Sequence, residues 1–257
     1  MRPCLPLQLK TRPARNSGRG VTASLEAGAR GKLPAMMKQL AKSFVLVWAL
    51  VGIALAQSGP GAKPKAPGED WVSLFNGTDL SGWVKVGNEQ WSVEDGLIHG
   101  VAVTKEYGYL MTEQHYRDFH LALRFRCEGD GNSGVFFHTA FKPGTADVSQ
   151  GLQFEVDCTI MQHTAGIYGD GHGWVVWPAP ENELVVRKGD WNEYLLKVEG
   201  NRYVARLNGV PMIDFTDPSP KSFDGGIALQ LHSGGRGDMK FRDIWIRDLT
   251  VRTADRP

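Results

Sequence analysis

The chain predicts an all-β fold, a two-sheet antiparallel β-sandwich of jelly-roll type. Three observations carry that prediction. From Trp71 onward no stretch repeats its apolar residues at helical spacing. The apolar residues fall instead into short alternating or β-branched runs, and Gly, Asn or Asp interrupts each of them. About a dozen short strands with no helices to cover a parallel sheet leave two antiparallel layers packed face to face.

The strands follow in order along the chain: WSVEDGLIHG (91–100), HLALRFRC (120–127), SGVFFH (133–138) and GLQFEVD (151–157). EYLLKVEGNRYVARLNGVPMI (193–213) reads as a three-stranded meander, because Gly200-Asn201 and Asn208-Gly209 both suit a tight turn with positive φ. GGIALQLHS (225–233) and KFRDIWIRDL (240–249) complete the set. Trp71, Trp83, Trp91, Trp191 and Trp245 are expected in the core.

The first quarter of the chain reads differently. Residues 1–35 are Arg-rich and aperiodic, an upstream extension to a start at Met36 or Met37. Lys38 and Lys42 precede Ser43–Ala56, an apolar run too short for a bilayer-spanning helix, which takes about twenty residues. It closes on Ala54-Leu55-Ala56, the small-x-small pattern of a signal-peptidase site. Residues 36–56 are therefore expected to be a secretory signal cleaved near Ala56, giving a secreted or periplasmic product with no membrane span in its mature form. Residues 57–68 are a Pro/Gly linker and 69–250 the folded domain.

Charge follows this division. Residues 1–56 hold nine Lys/Arg and one acid; of the chain's 29 bases and 28 acids, the remainder keeps 20 and 27, a net of −7. An acidic body offers no basic stripe to phosphates, which argues against a nucleic-acid partner. An oxidising compartment permits Cys127 and Cys158 to pair, but spacing alone leaves a bridge and two separate buried thiols both open.

Alternation shows which side chains share a face. Leu152, Phe154 and Val156 point one way, toward the interior; Gln153, Glu155 and Asp157 point the other. Ile227, Leu229 and Leu231 similarly oppose Gln230 and His232, and Val135 and Phe137 oppose Phe136 and His138. Two carboxylates and an amide in one row suit catalysis, although a solvated strand face or a calcium ligand pair would show the same pattern. His232 reads equally as a structural histidine. His163 and His172 flank a Gly-rich loop with no third ligand nearby, so no metal site is assigned and no cofactor is expected. Trp174 and Trp177 suit stacking on a sugar's apolar face or core packing. Asn132 reads as a turn residue.

Several segments, in order and over nearly the whole domain, resemble the 3-keto-disaccharide hydrolase family: LFNGTDLSGW (74–83), WSVEDGLIHG (91–100), YRDFHLALRFR (116–126), GDGNSGVFFH (129–138), GLQFEVD (151–157), TAGIYGDGHGW (164–174), GDWNEYLLKVEGNRYVARLNG (189–209), and GGIALQLHSGG with MKFRDIWIRDL (225–249). The resemblance implies a concanavalin-like jelly roll, secretion, and a glycoside already oxidised at C3. A C3 ketone acidifies the C2 proton, so a modest base can remove it, expel the C1 oxygen substituent and leave an unsaturated keto sugar for water to add to. On that reading Glu155 is the base, with Asp157 and His232 as acid or orienting partners. His138, Gln153, Tyr168, Trp174 and Gln230 hold the substrate. The chain departs from a common family pattern in having Gln153 and Glu155 exchanged in order, and His138 where many members carry Arg. A sandwich of this kind equally supports an endo-glycosidase on unoxidised glycans or a lectin-like module without turnover.

Overall fold

Among the described residues, the alternating runs form fifteen strands, and one helical turn, α1 (Pro180–Glu183), stands beside them. The computed structural model describes residues 65–129, 131–141 and 151–250; the expectations for 1–35, for the signal segment 36–56 and for most of the linker 57–68 lie outside them. No helix among the described residues is long and apolar enough to cross a membrane.

The strands, numbered in chain order, divide between two sheets. One contains β1 (Val72–Ser73), β3 (Gln90–Glu94), β4 (Leu97–Val101), β6 (Phe119–Cys127), β11 (Asn192–Glu199), β12 (Arg202–Leu207), β13 (Val210–Thr216) and β15 (Asp238–Asp248). Its order is β13-β12-β11-β6-β15-β4-β3, with β1 also paired to β15. The other contains β2 (Trp83–Val86), β5 (Gly108–Thr112), β7 (Asn132–Thr139), β8 (Leu152–Asp157), β9 (Ile167–Gly169), β10 (Gly173–Val176) and β14 (Gly226–Leu231), ordered β10-β9-β8-β7-β14-β5-β2. The pairs within both sheets are antiparallel, the distant ones as well as the hairpins β3–β4, β11–β12 and β12–β13.

The inner faces interdigitate as the alternation predicts. Phe154 and Val156 of β8, Val135 and Phe137 of β7, and Ile227, Leu229 and Leu231 of β14 are buried with Leu121, Leu123 and Phe125 of β6 and with Tyr194, Tyr203 and Phe241. Two hairpin turns place both central residues at positive φ: Asp95-Gly96 (51° and 76°) and Asn208-Gly209 (50° and 83°). At the Gly200-Asn201 turn only the glycine does so.

Cys127, the last residue of β6, is disulfide-bonded to Cys158, the first residue after β8, with 6.1 Å between their Cα atoms. The bridge ties the two sheets together at one end. Of the tryptophans expected in the core, Trp83 and Trp91 are there; Trp71, Trp191 and Trp245 are only half-buried. Trp191 lies under two guanidinium groups, with Arg242 4.2 Å and Arg126 5.0 Å from the ring centroid. Cation–π stacking accounts for this aromatic better than core packing does.

Candidate active site

The outer face of the second sheet presents two side-chain rows set by register. In one, Met111 pairs with Ala228, Ala228 with Phe136, Phe136 with Gln153, Gln153 with Tyr168 and Tyr168 with Trp174. In the next, Tyr109 pairs with Gln230, and across β7 Gly134 pairs with Glu155. Gly134 is needed as glycine. A Cβ built there would lie 1.9 Å from Gln153 Oε1, so the missing side chain leaves room for the Gln153 amide.

Glu155 is the centre of this face. It is 3% exposed, an unusual position for a carboxyl on the outside of a sheet. Asn132 Nδ2 donates to its Oε1, and Gln153 Nε2 donates to its Oε2 at 3.0 Å. Desolvation pushes its pKa up from 4.5 to about 8; the Asn132 hydrogen bond works against the rise and the charge of Asp157 adds to it. The backbone is equally fixed. Glu155 N donates to Gly166 O and Ala165 N to Glu155 O, both at 2.9 Å, while the buried Tyr194 hydroxyl also donates to Glu155 O.

Three buried side-chain oxygens around this carboxyl, Asn132 Oδ1, Gln153 Oε1 and Gln230 Oε1, accept no hydrogen bond from the described residues. Buried acceptors left open in one neighbourhood cost free energy unless a ligand or water meets them. They suit a ligand that presents several hydroxyl donors.

Aromatic rings border the polar centre on two sides. Tyr107, Tyr109, Phe136 and Phe141 make a small cluster, with Tyr109 5.5 Å from Phe136 and 4.6 Å from Phe141 between centroids. On the other side Tyr168 meets Trp174 edge-on at 5.3 Å, and Trp174 is 39% exposed. Amphipathic rings around amide and carboxyl groups make a surface suited to a sugar, which is polar at its rim and apolar on its C–H faces.

Residues 70–247 match the model of the 3-keto-alpha-glucoside-1,2-lyase-like domain. The chain belongs to that family. A curated relative, the 3-keto-disaccharide hydrolase of Bacteroides thetaiotaomicron, is 27% identical over 79 residues, 27% of this chain and 27% of its own length. The match thus spans little more than a quarter of that relative. Among solved structures, a candidate glycosyl hydrolase from Parabacteroides distasonis superposes with a TM-score of 0.56 at 22% identity, over 70% of this chain and 94% of its own. The carbohydrate-binding module CBM66 of Bacillus subtilis gives 0.51 at 16% identity, over 66% and 98%. These two share the fold. The family makes a glycosidase-like or carbohydrate-binding role the coarse reading of this sandwich.

The structure brings most of the expected site residues of this lyase-like domain to one face and separates others. Glu155, Gln153, Tyr168, Trp174 and Gln230 occupy the two rows. Asp157 closes β8 opposite Asn132, but its Oδ1 accepts from Thr159 N at 2.7 Å and so serves the turn that follows. His232 flanks the site: its backbone N donates to Asn132 O at 3.3 Å, and its ring meets Tyr107 edge-on at 4.9 Å. Its Nδ1 lies 3.0 Å from Ser233 O.

His138 lies elsewhere. The β7–β14 register shifts between Gly226 and Ala228, and His138 takes a φ of 50° beside that irregularity. Simple alternation therefore fails for it. Its ring is buried against Phe137 and Phe119, with Nε2 2.7 Å from Arg117 O and Nδ1 3.2 Å from Ser222 O. Burial lowers its pKa. His138 and His172 both line a separate cavity of about 550 Å³ at the end of the sandwich, and His163 is not among its lining residues. Among the described residues no three His, Cys, Asp or Glu side chains converge as metal ligands would.

Asn132 is the residue that sequence reasoning undervalued. Its place in GNSG marks a turn, yet it is the first residue of β7, and its side chain falls in alternation with Gly134 and Phe136. Tyr107 and Tyr109 were also missed; their spacing of two in EYGYL is the signal that puts both on one face.

Proposed function

We propose that this domain cleaves 3-keto-glycosides by proton abstraction at C2, with Glu155 as the base. The observation that carries the reading is the buried Glu155 carboxyl on an outer sheet face, its pKa pushed up to about 8 and two amides holding it. A carboxylate of raised pKa is a stronger base than an ordinary one, which a carbon acid needs. About a tenth is ionised at pH 7, and that fraction grows with pH.

The step balances around one group. Glu155 takes the C2 proton, and the electron pair passes to the C3 oxygen as an enolate. The pair returns to form C1=C2 while the C1–O bond breaks, and the leaving oxygen takes a proton from the Glu155 carboxyl. Water then adds OH to C1 and H to C2, so the sum is hydrolysis. Asn132 and Gln153 amides can donate to the carboxylate or, turned over, accept from the carboxylic acid, so they serve both protonation states. Gln230 and Tyr168 stand in the same two rows, placed for ring hydroxyls and the enolate oxygen.

Incubation with 3-keto-trehalose or 3-keto-sucrose in deuterated water tests the reading. Release of 3-keto-glucose carrying deuterium at C2 supports it; release without deuterium points to direct displacement at C1, and no release ends it. An endo-glycosidase with two carboxylates flanking the bond is less well supported, because Asp157 is tied to the turn at Thr159. We further propose that the domain works outside the cytoplasm. The signal-like segment 36–56 and the Cys127–Cys158 disulfide both support an oxidising compartment.

A further inference from the structure

Beside the Glu155 row, the loop after β8 carries a built arrangement that the proposed chemistry at C2 does not use. Its residue His163 is held by Glu183 of α1. His163 N donates to Glu183 Oε2 at 2.8 Å, and His163 Nδ1 lies 3.0 Å from Glu183 Oε1. Glu183 is 1% exposed, whereas the His163 side chain is 36% exposed. A buried carboxylate receiving Nδ1–H fixes the ring's tautomer and orientation. Nε2 is left as the outward-facing atom, and no hydrogen bond to it is present among the described residues.

Two exposed tryptophans flank that ring. Trp177, 53% exposed, is stacked on His163 at 5.5 Å with 29° between planes; Trp174 meets it edge-on at 4.9 Å. Residues three apart on a regular strand point to opposite faces. Here the β9–β10 register shifts between Trp174 and Val176, and that irregularity lets both rings reach the same histidine.

The group is continuous with the Glu155 face. A Cβ on Gly166 would lie 3.2 Å from Trp174 Cζ3, so the indole lies over Gly166, the residue whose carbonyl accepts from Glu155 N. The loop is also held in a costly shape. Met161, His163 and Ala165 all have positive φ (70°, 63° and 72°), a conformation that disfavours side chains with a Cβ. The disulfide at Cys158 and the Thr164 hydroxyl, which accepts from Asp157 N at 2.9 Å, anchor its two ends.

We propose that Trp174, Trp177 and His163, with Glu183 as positioning residue, form a second-ring subsite. It takes the leaving-group sugar of a disaccharide substrate, the indoles stacking on its C–H face and His163 Nε2 meeting a ring hydroxyl. The subsite rests on the reading of Glu155 as a sugar-directed site, and it makes the domain selective for glycosides whose departing group is itself a ring.

The test compares wild type with Trp177→Ala, an exposed position, and His163→Ala on 3-keto-trehalose and on methyl 3-keto-α-glucoside, which has no second ring. The ratio of kcat/KM for the disaccharide to that for the methyl glycoside should fall about tenfold in each variant, the equivalent of one stacking or hydrogen-bond contact. Glu183→Gln should lower the ratio less than His163→Ala does. A ratio unchanged in both Trp177→Ala and His163→Ala overturns the subsite. Should wild type turn over neither compound, the C2 chemistry fails, and calorimetric titration with unoxidised trehalose then decides the subsite: weaker binding by both variants than by wild type supports it, and equal or absent binding in all three overturns it.

Discussion

Replacing Glu155 by Gln should make the protein more stable in alkaline solution than the wild type, and by an amount that depends on pH in a defined direction. The folded state holds the Glu155 proton up to about pH 8, whereas an unfolded chain releases it near its ordinary 4.5. Between these values the folded state binds the extra proton, so wild-type stability declines as pH rises through the window and levels off above about 8. A difference of 3.5 units at 1.36 kcal/mol each sets the full decline at about 5 kcal/mol. Gln has the same shape and does not titrate, so subtracting wild type from variant cancels the other ionisable groups. Urea unfolding followed by tryptophan fluorescence at pH 5, 7 and 9 measures it. The variant's advantage should grow by several kcal/mol from the first pH to the last, a melting shift on the order of 10–20 °C for a domain of this size. A difference that stays flat across these pH values refutes the reasoning, since it would mean that Glu155 is ionised in the fold at ordinary pH and is therefore no unusual base.

Activity should follow the same group: kcat/KM on a 3-keto-disaccharide rises about tenfold per pH unit below about 8 and then flattens, and Glu155→Gln lowers it by about 10²–10⁴. Asn132→Ala removes a hydrogen bond that lowers the Glu155 pKa, so its pH–rate limb should move to higher pH than wild type's; an unmoved limb would show that Asn132 does not act through Glu155. Gly134→Ala puts a methyl group where Gln153 Oε1 sits, and should cost activity while far-ultraviolet circular dichroism stays as in wild type. Serine at both Cys127 and Cys158 opens a loop of 31 residues and should lower unfolding free energy by about 3–4 kcal/mol, read from denaturant midpoints at matched slope.

Much of the sheet chemistry was legible from alternation alone. Leu152, Phe154 and Val156 against Gln153, Glu155 and Asp157 is a period-two pattern, and a strand with one face packed against the opposite sheet enforces it. The same logic failed at His138, because an irregularity in the β7–β14 pairing reverses the parity and periodicity carries no sign of it. Asn132 was obscured by its company: between glycine and serine its turn propensity outweighs its strand position, and only the register opposite Asp157 reveals that its amide reaches Glu155. Trp191 was read as core because apolar area usually decides where an indole goes; the two arginines that cover it come from β6 and β15, strands distant in sequence. His163 looked like half of a weak metal pair, and nothing local announced Glu183, twenty residues onward, as its partner.

The shifted register of β10 has a wider consequence. That strand ends its sheet, so a residue gained or lost there disturbs one neighbour instead of two. Related proteins could swing an indole toward or away from the Glu155 face by changing the length of this border by one position, and so alter which glycosides they accept without touching the carboxyl two strands inward. Selectivity and reactivity are thereby carried by parts of the molecule that mutate at very different cost.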